Sequence, residues 1–202
     1  MRHPYMEQEI SKPQLTTEYC HKATQQVVKD MSEHYPVVFG TIHGSYLYGT
    51  AHGASDVDFL VVVESGNNKS KVVNGVDVQI YNLKTFTRLV ALGSHQSIEA
   101  LYSPYKVFTN TVFRSLVEHM TVSSLHYYGK CLSAAHSFAA RALEDNNVKA
   151  ARHAYRLHNA AERALEHGDF SPVWRHFEQF TEAEDKQFFQ HAEQLLIYMS
   201  QS

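Results

Sequence analysis

Ile42–Val63 reads IHGSYLYGTAHGASDVDFLVVV. Its second half, Phe59–Val63, is an unbroken apolar run rich in β-branched residues. Such a run fits a central strand covered on both faces. The second strand is read over "DVDFLVVVE", with two acids, Asp56 and Asp58, at its mouth. On an extended chain, side chains at i and i+2 face the same side. Two neighbouring carboxylates repel unless a cation sits between them. An all-oxygen donor set suits Mg²⁺ or Mn²⁺.

The first half explains why the acids are there. "PVVFGTIHG" reads as a short first strand, and Gly44-Ser45 follows it and opens a short helix. The backbone N–H groups of such a turn and the Ser45 hydroxyl can cradle a triphosphate, with no side chain at Gly44 in the way. A third carboxylate is due on a neighbouring strand, and Asp77 in the alternating segment "VDVQIY" is the available one. Three carboxylates on two strands can hold two metals roughly 3.5–4 Å apart, one activating an attacking oxygen and one steadying a leaving phosphate. Taken alone, Asp-x-Asp is more simply a turn cap followed by a strand-edge charge. The Gly-Ser turn upstream favours the metal-and-phosphate reading.

Outward from this block, Thr16 or Thr17 caps a helix running to about His34, with Tyr19, Ala23, Val27 and Met31 at four-residue spacing. Residues 1–13 read as a loose arm. "KVVNGVDVQIYN" is β-rich with an Asn-Gly turn inside it. From Leu83 the period changes from 2 to 3.6. "KTFTRLVALG", "QSIEALYS", Asn110–His119, Ser123–Glu144, Val148–His167 and Glu182–Met199 read as helices. The plan is an α+β front, 14–108, and an all-helical back, 109–202, with no flexible linker and therefore expected to pack together.

The chain has 202 residues and a net charge of −3. Nine Lys/Arg face ten Asp/Glu up to Asn110, and nine face eleven after it. No global nucleic-acid footprint is present, so any anion site is a local cluster. Cys20 and Cys131 have no partner motif and read as reduced thiols of a cytoplasmic protein. No apolar run reaches the roughly 18 residues of a membrane span, and "MRHPYMEQEI" is too polar for a signal peptide.

The Gly-Ser turn, the spaced Asp-x-Asp and a third Asp on the next strand resemble the DNA polymerase β-like nucleotidyltransferase superfamily. "GSYLYGTAHGASDVDFLVVV" looks closer still to the GS-x-x-YG-x-x-x-x-x-SD-x-D block of the RlaP-like (RNA-ligase-associated) nucleotidyltransferases of bacteria and phages. "VDVQIYNLKTFTRLVALGSHQSIEALYSP" and "KAARHAYRLHNAAERALEHGDFSP" fit the same group, so the resemblance spans roughly residues 38–172. One departure is Ser94-His95-Gln96, where an Asn-Pro-like turn is expected. The resemblance implies a small mixed sheet, palm-like, with helices on one side. It implies Asp56, Asp58 and Asp77 as metal ligands, and Gly44 and Ser45 as the phosphate-binding turn.

One helix adds a cationic stripe. At about 100° per residue, Lys149, His153, Arg156, Arg163 and His167 fall within roughly 80° of one another, with Arg152 at the edge. Ala150, Ala154, Leu157, Ala161 and Ala164 form the adjoining apolar face. Lys149, His153 and Arg156 are candidate ligands for a nucleotide triphosphate. The simpler alternative is a solvated face with Glu-Arg pairing. Tyr48 either walls the pocket, stacks on a base or packs in the core. Ser55 is expected to cap the turn before Asp56. Glu99, in an apolar helix, either pairs with a basic partner or touches substrate. His43 and His52 flank the block, and the Arg114-to-His119 spacing arises often by chance.

The expected chemistry is transfer of an NMP from a nucleoside triphosphate to an acceptor hydroxyl, without a template, with release of pyrophosphate. The family association points to an RNA 3′ end, tRNA included, as acceptor. A protein or small-molecule hydroxyl is the second possibility, and a non-catalytic nucleotide-binding regulatory module the third.

Overall fold

The computed structural model describes residues 16–52, 55–73 and 75–200. The arm expected at residues 1–13 lies outside the described residues. The chain forms two compact units. One holds the residues up to Leu89 together with Glu99–Thr121 and Pro172–Glu178. The other holds Val90–Ile98, Val122–Ser171 and Gln179–Ser202.

The first unit is built on a five-stranded sheet. Its strands are β1 (Val37–His43), β2 (Asp58–Val63), β3 (Lys69–Val73), β4 (Val76–Asn82) and β5 (Val107–Phe108). Their order is β3-β4-β2-β1-β5. β2 and β4 run parallel, and every other neighbouring pair is antiparallel. β2 lies in the middle, as its continuous apolar run requires. The Asn-Gly signal falls between β3 and β4, where Gly75 takes φ +83°. β5 has only two residues and left no pattern in the sequence to be read.

The first helix, α1 (Thr17–Ser32), begins where the Thr16 hydroxyl accepts a hydrogen bond from the Tyr19 N–H at 3.2 Å. Its buried residues Cys20, Val28 and Met31 share a core with Ile42, Phe59, Val61, Val63, Val78 and Ile80. Gly40 makes room for that packing, since a Cβ there would stand 2.5 Å from a Val28 methyl. Residues of opposite parity cover the other face. Phe39 meets Phe86 of α3 (Leu83–Ala91), Phe108, and Phe113 of α5 (Thr111–Glu118). The resemblance implied helices on one side of the sheet, whereas here both faces are covered. The reason is in β2, where Leu60 and Val62 are as fully buried as Val61 and Val63 on the other parity.

The second unit is dominated by α6 (Ser124–Glu144), α7 (Val148–His167) and α8 (Glu182–Ser200). α6 and α7 pack together, and both bury small side chains: Ala135, Ala139 and Ala142 on one, Ala150, Ala154, Ala161 and Ala164 on the other. Asn147 caps α7 by accepting from the Ala150 N–H, and Gly168 closes it at φ +65°. Arg152 grips Asp185 with two hydrogen bonds of 2.7 Å and lies over the Phe180 ring. No helix among the described residues is long and apolar enough to cross a membrane.

His191 of α8 packs against Tyr155 and His158 of α7, with ring centroids 4.9 and 5.0 Å away. Burial, aided by His158 and opposed by Glu162, holds its pKa below the usual 6.5. The unfolded chain therefore binds the extra proton first as pH falls. This contribution to stability is complete above about pH 6.5 and shrinks as the pH drops through the window beneath it. Thermal midpoints measured between about pH 7.5 and 5 should fall more steeply for the native chain than for His191→Asn. Equal slopes would show that His191 carries no linkage.

Candidate active site

The end of the sheet that carries the acids is set by strand register. β1 pairs His43 with Asp58, and β2 pairs Asp58 with Asp77. Directly paired residues project from the same face. His43, Asp58 and Asp77 thus form one row across three strands, on the face opposite α1. Asp58 is half-buried and Asp77 is exposed at the rim.

Chain direction brings the Gly-Ser turn to the same place. β1 ends at His43, and α2 (Gly44–Tyr48) follows at once. Gly44 takes φ +64°, a conformation that favours glycine. A Cβ on Gly44 would stand 2.6 Å from the Asp58 Oδ2 atom. The turn is therefore packed on the carboxylate, and only a residue without a side chain leaves that side of Asp58 open.

Asp56 differs from the sequence expectation in one respect. It stands in the segment before β2 rather than inside the strand, because β2 begins at Asp58. That segment is shaped by Ser55, whose hydroxyl accepts from the His52 N–H at 2.9 Å and whose N–H donates to the His52 carbonyl. Asp56 is exposed, and its charge reaches Tyr46. The Tyr46 phenol is pushed up to about 12, first by burial and then by Tyr19, Cys20 and Asp56.

Behind the turn lies a buried acid. Glu99 of α4 (His95–Tyr102) is completely buried, and the Tyr48 phenol donates to its Oε2 atom at 3.0 Å. The His43 ring meets Tyr48 edge-on at 6.1 Å. The sequence singled out both Glu99 and Tyr48 but not their pairing, since 51 positions separate them. It also missed the segment Trp174–Phe177, which donates three backbone hydrogen bonds to Tyr48 and Gly49.

The cationic candidates belong to α7, in the second unit. Lys149 is exposed. His153 stacks on Phe138 at 5.0 Å with the rings 30° apart. Arg156 is buried, only 5% exposed. Arg163 is tied to Asp169 and to the Ser171 carbonyl.

Among the described residues, no three His, Cys, Asp or Glu side chains are gathered into a group that could hold a metal ion. The chemistry of the donors still fits a hard divalent cation. Asp58 and Asp77 offer oxygen only, they stand opposite each other in register, and Gly44 leaves the approach to Asp58 clear.

Residues 24–122 match the family model described as a nucleotidyltransferase domain. That stretch, just under half of the chain, contains Gly44, Ser45, Asp56, Asp58 and Asp77. Among solved structures, the chain is similar to a nucleotidyltransferase-like protein from Exiguobacterium sibiricum. The two are 11% identical over 88% of this chain and 74% of that one, with a TM-score of 0.34. So distant a likeness carries no weight for function. No curated protein matches the chain.

Proposed function

We propose that the protein is a nucleotidyltransferase that moves an NMP from a nucleoside triphosphate to an acceptor hydroxyl. The observation that carries this reading is the packing of the Gly44 turn on Asp58, with Asp77 in register beside it. The match of residues 24–122 to a nucleotidyltransferase domain supports it.

Asp56, Asp58 and Asp77 would hold Mg²⁺ or Mn²⁺, which supplies charge neutralisation at the attacking and leaving oxygens when bound. The Gly44 and Ser45 backbone N–H groups and the Ser45 hydroxyl bind the triphosphate oxygens. The acceptor oxygen forms a bond to the α-phosphorus. The bond from that phosphorus to the bridging oxygen breaks, and pyrophosphate leaves with the electron pair. Asp77, at the exposed rim, orients the acceptor hydroxyl and takes its proton. Lys149, His153 and Arg156 of α7 are proposed as phosphate-binding residues on their charge and their helical spacing alone.

The acceptor we favour is an RNA 3′ end, tRNA included, modified without a template in the cytoplasm. A second reading, transfer to a protein or small-molecule hydroxyl, gains from the net charge of −3, because a long RNA favours a basic surface. The test uses α-³²P-labelled NTPs, one at a time, with Mg²⁺ or Mn²⁺, bulk tRNA and a cell extract. The expected result is label on RNA that disappears in Asp56→Ala/Asp58→Ala. Label on protein instead would select the second reading. Binding of NTP without transfer to any acceptor would leave a nucleotide-binding regulatory module.

A further inference from the structure

We propose that Trp174–Phe177 is a positioning strap that fixes the Gly44-Ser45 turn, an inference that rests on the nucleotidyltransferase reading. The turn needs such support. α2 has five residues, far below the length at which a helix holds itself together. Its last carbonyls would otherwise face water or remain unsatisfied.

The strap supplies what the helix lacks. The Trp174 and Arg175 N–H groups both donate to the Tyr48 carbonyl, at 3.1 and 3.0 Å. The Phe177 N–H donates to the Gly49 carbonyl at 2.7 Å. Phe177 makes this bond at φ +63°, a left-handed conformation that bulky residues rarely adopt. Such strain persists only where the surroundings over-determine it, and it gathers near functional sites. The Phe177 side chain packs against the core that α1 forms with the sheet.

Gly49 is the point of contact. It takes φ +72°, and a Cβ there would stand 1.7 Å from the Arg175 carbonyl oxygen. No side-chain movement relieves that contact, because the obstacle is backbone. The path from Gly49 to the turn is short. Thr50 and Ala51 both donate to the Ser45 carbonyl, at 2.9 and 3.1 Å, and the Gly49 N–H reaches the carbonyls of Ser45 and Tyr46. Displacing Gly49 therefore drags on Ser45 directly. Glu99 holds the same helix from inside through Tyr48.

Connectivity sharpens the point. Pro172–Glu178 belongs to the first unit, while the chain before and after it belongs to the second. The strap is thus a detour that returns from the helical unit to grip the turn. Its backbone hydrogen bonds end on the Tyr48 and Gly49 carbonyls, so Gly49, Trp174, Arg175 and Phe177 act on the turn as positioning residues.

The experiment compares the full chain with Gly49→Ala and Phe177→Pro, the latter removing the donor and forbidding the positive φ. Hydrogen exchange is read at the amides of Gly49, Thr50 and Ala51, and steady-state transfer is measured on the same samples. The strap predicts about tenfold or faster exchange at those three amides, with the α6–α8 amides unchanged. It also predicts KM for the NTP raised about threefold or more together with kcat lowered about tenfold or more. A mere loss of folded protein would lower apparent kcat and leave KM where it was. Unchanged exchange at the three amides in both variants overturns the strap, and so does an unchanged rate. Should the native chain transfer no NMP, the nucleotidyltransferase reading fails, and the exchange arm alone still decides whether the strap fixes the turn.

Discussion

Asp58→Asn should cut NMP transfer by about three orders of magnitude, roughly 4 kcal/mol of barrier, while the chain stays folded. The substitution keeps the shape of the side chain and removes its charge, so packing against Gly44 is preserved. It takes one anion out of the row that Asp58 shares with Asp77. Like charges directly opposite each other destabilise a sheet, and the exposed position of Asp77 limits that cost to a few tenths of a kcal/mol. The thermal midpoint should therefore hold or rise by about one degree. Transfer of α-³²P label and thermal unfolding, measured on one preparation, check both halves. A midpoint that falls with the activity would make Asp58 a structural acid and sink its proposed role.

Gly44→Ala should be the next most damaging change, with transfer lowered about a hundredfold. Two costs coincide there. The left-handed backbone at φ +64° penalises any Cβ by about 1–2 kcal/mol. The new methyl would also sit 2.6 Å from the Asp58 carboxylate, which must swing away. The displaced carboxylate is the one the proposed chemistry uses. The backbone cost alone predicts a midpoint lower by about 2–8 °C in a chain of this size. A variant that unfolds earlier yet transfers at the native rate at low temperature would show that Gly44 serves the fold and not the site.

Much of this arrangement was legible because it depends on local rules. The change of hydrophobic period at Leu83 marks where β4 gives way to α3. The bounds read for α7, Val148 and His167, are those of the structure, where Asn147 and Gly168 cap the helix. Gly44-Ser45 and Asp58 could be placed at one end of the sheet because both sit at strand ends, and strand ends are visible in composition. Other features were hidden for definite reasons. β5 is too short to show alternation. Asp56 sits outside β2 because a side-chain pattern cannot say where ladder hydrogen bonds begin. The α7 stripe was read from helical spacing, and spacing does not reveal burial. Arg156 is enclosed while Lys149 is exposed, although both carry the same charge.

By itself the sequence determined the alternation of elements, the central place of β2, and the candidate acids beside a glycine turn. Each of these follows from side-chain periodicity and backbone permission, which act over a few residues. Only the tertiary structure decided the register that sets Asp58 against Asp77, the burial of Glu99 under Tyr48, and the return of Trp174–Phe177 to Gly49. Those contacts join residues 19 to 128 positions apart. Strand pairing and chain reversal bring them together, and no local pattern records which distant backbone will supply the missing hydrogen bond.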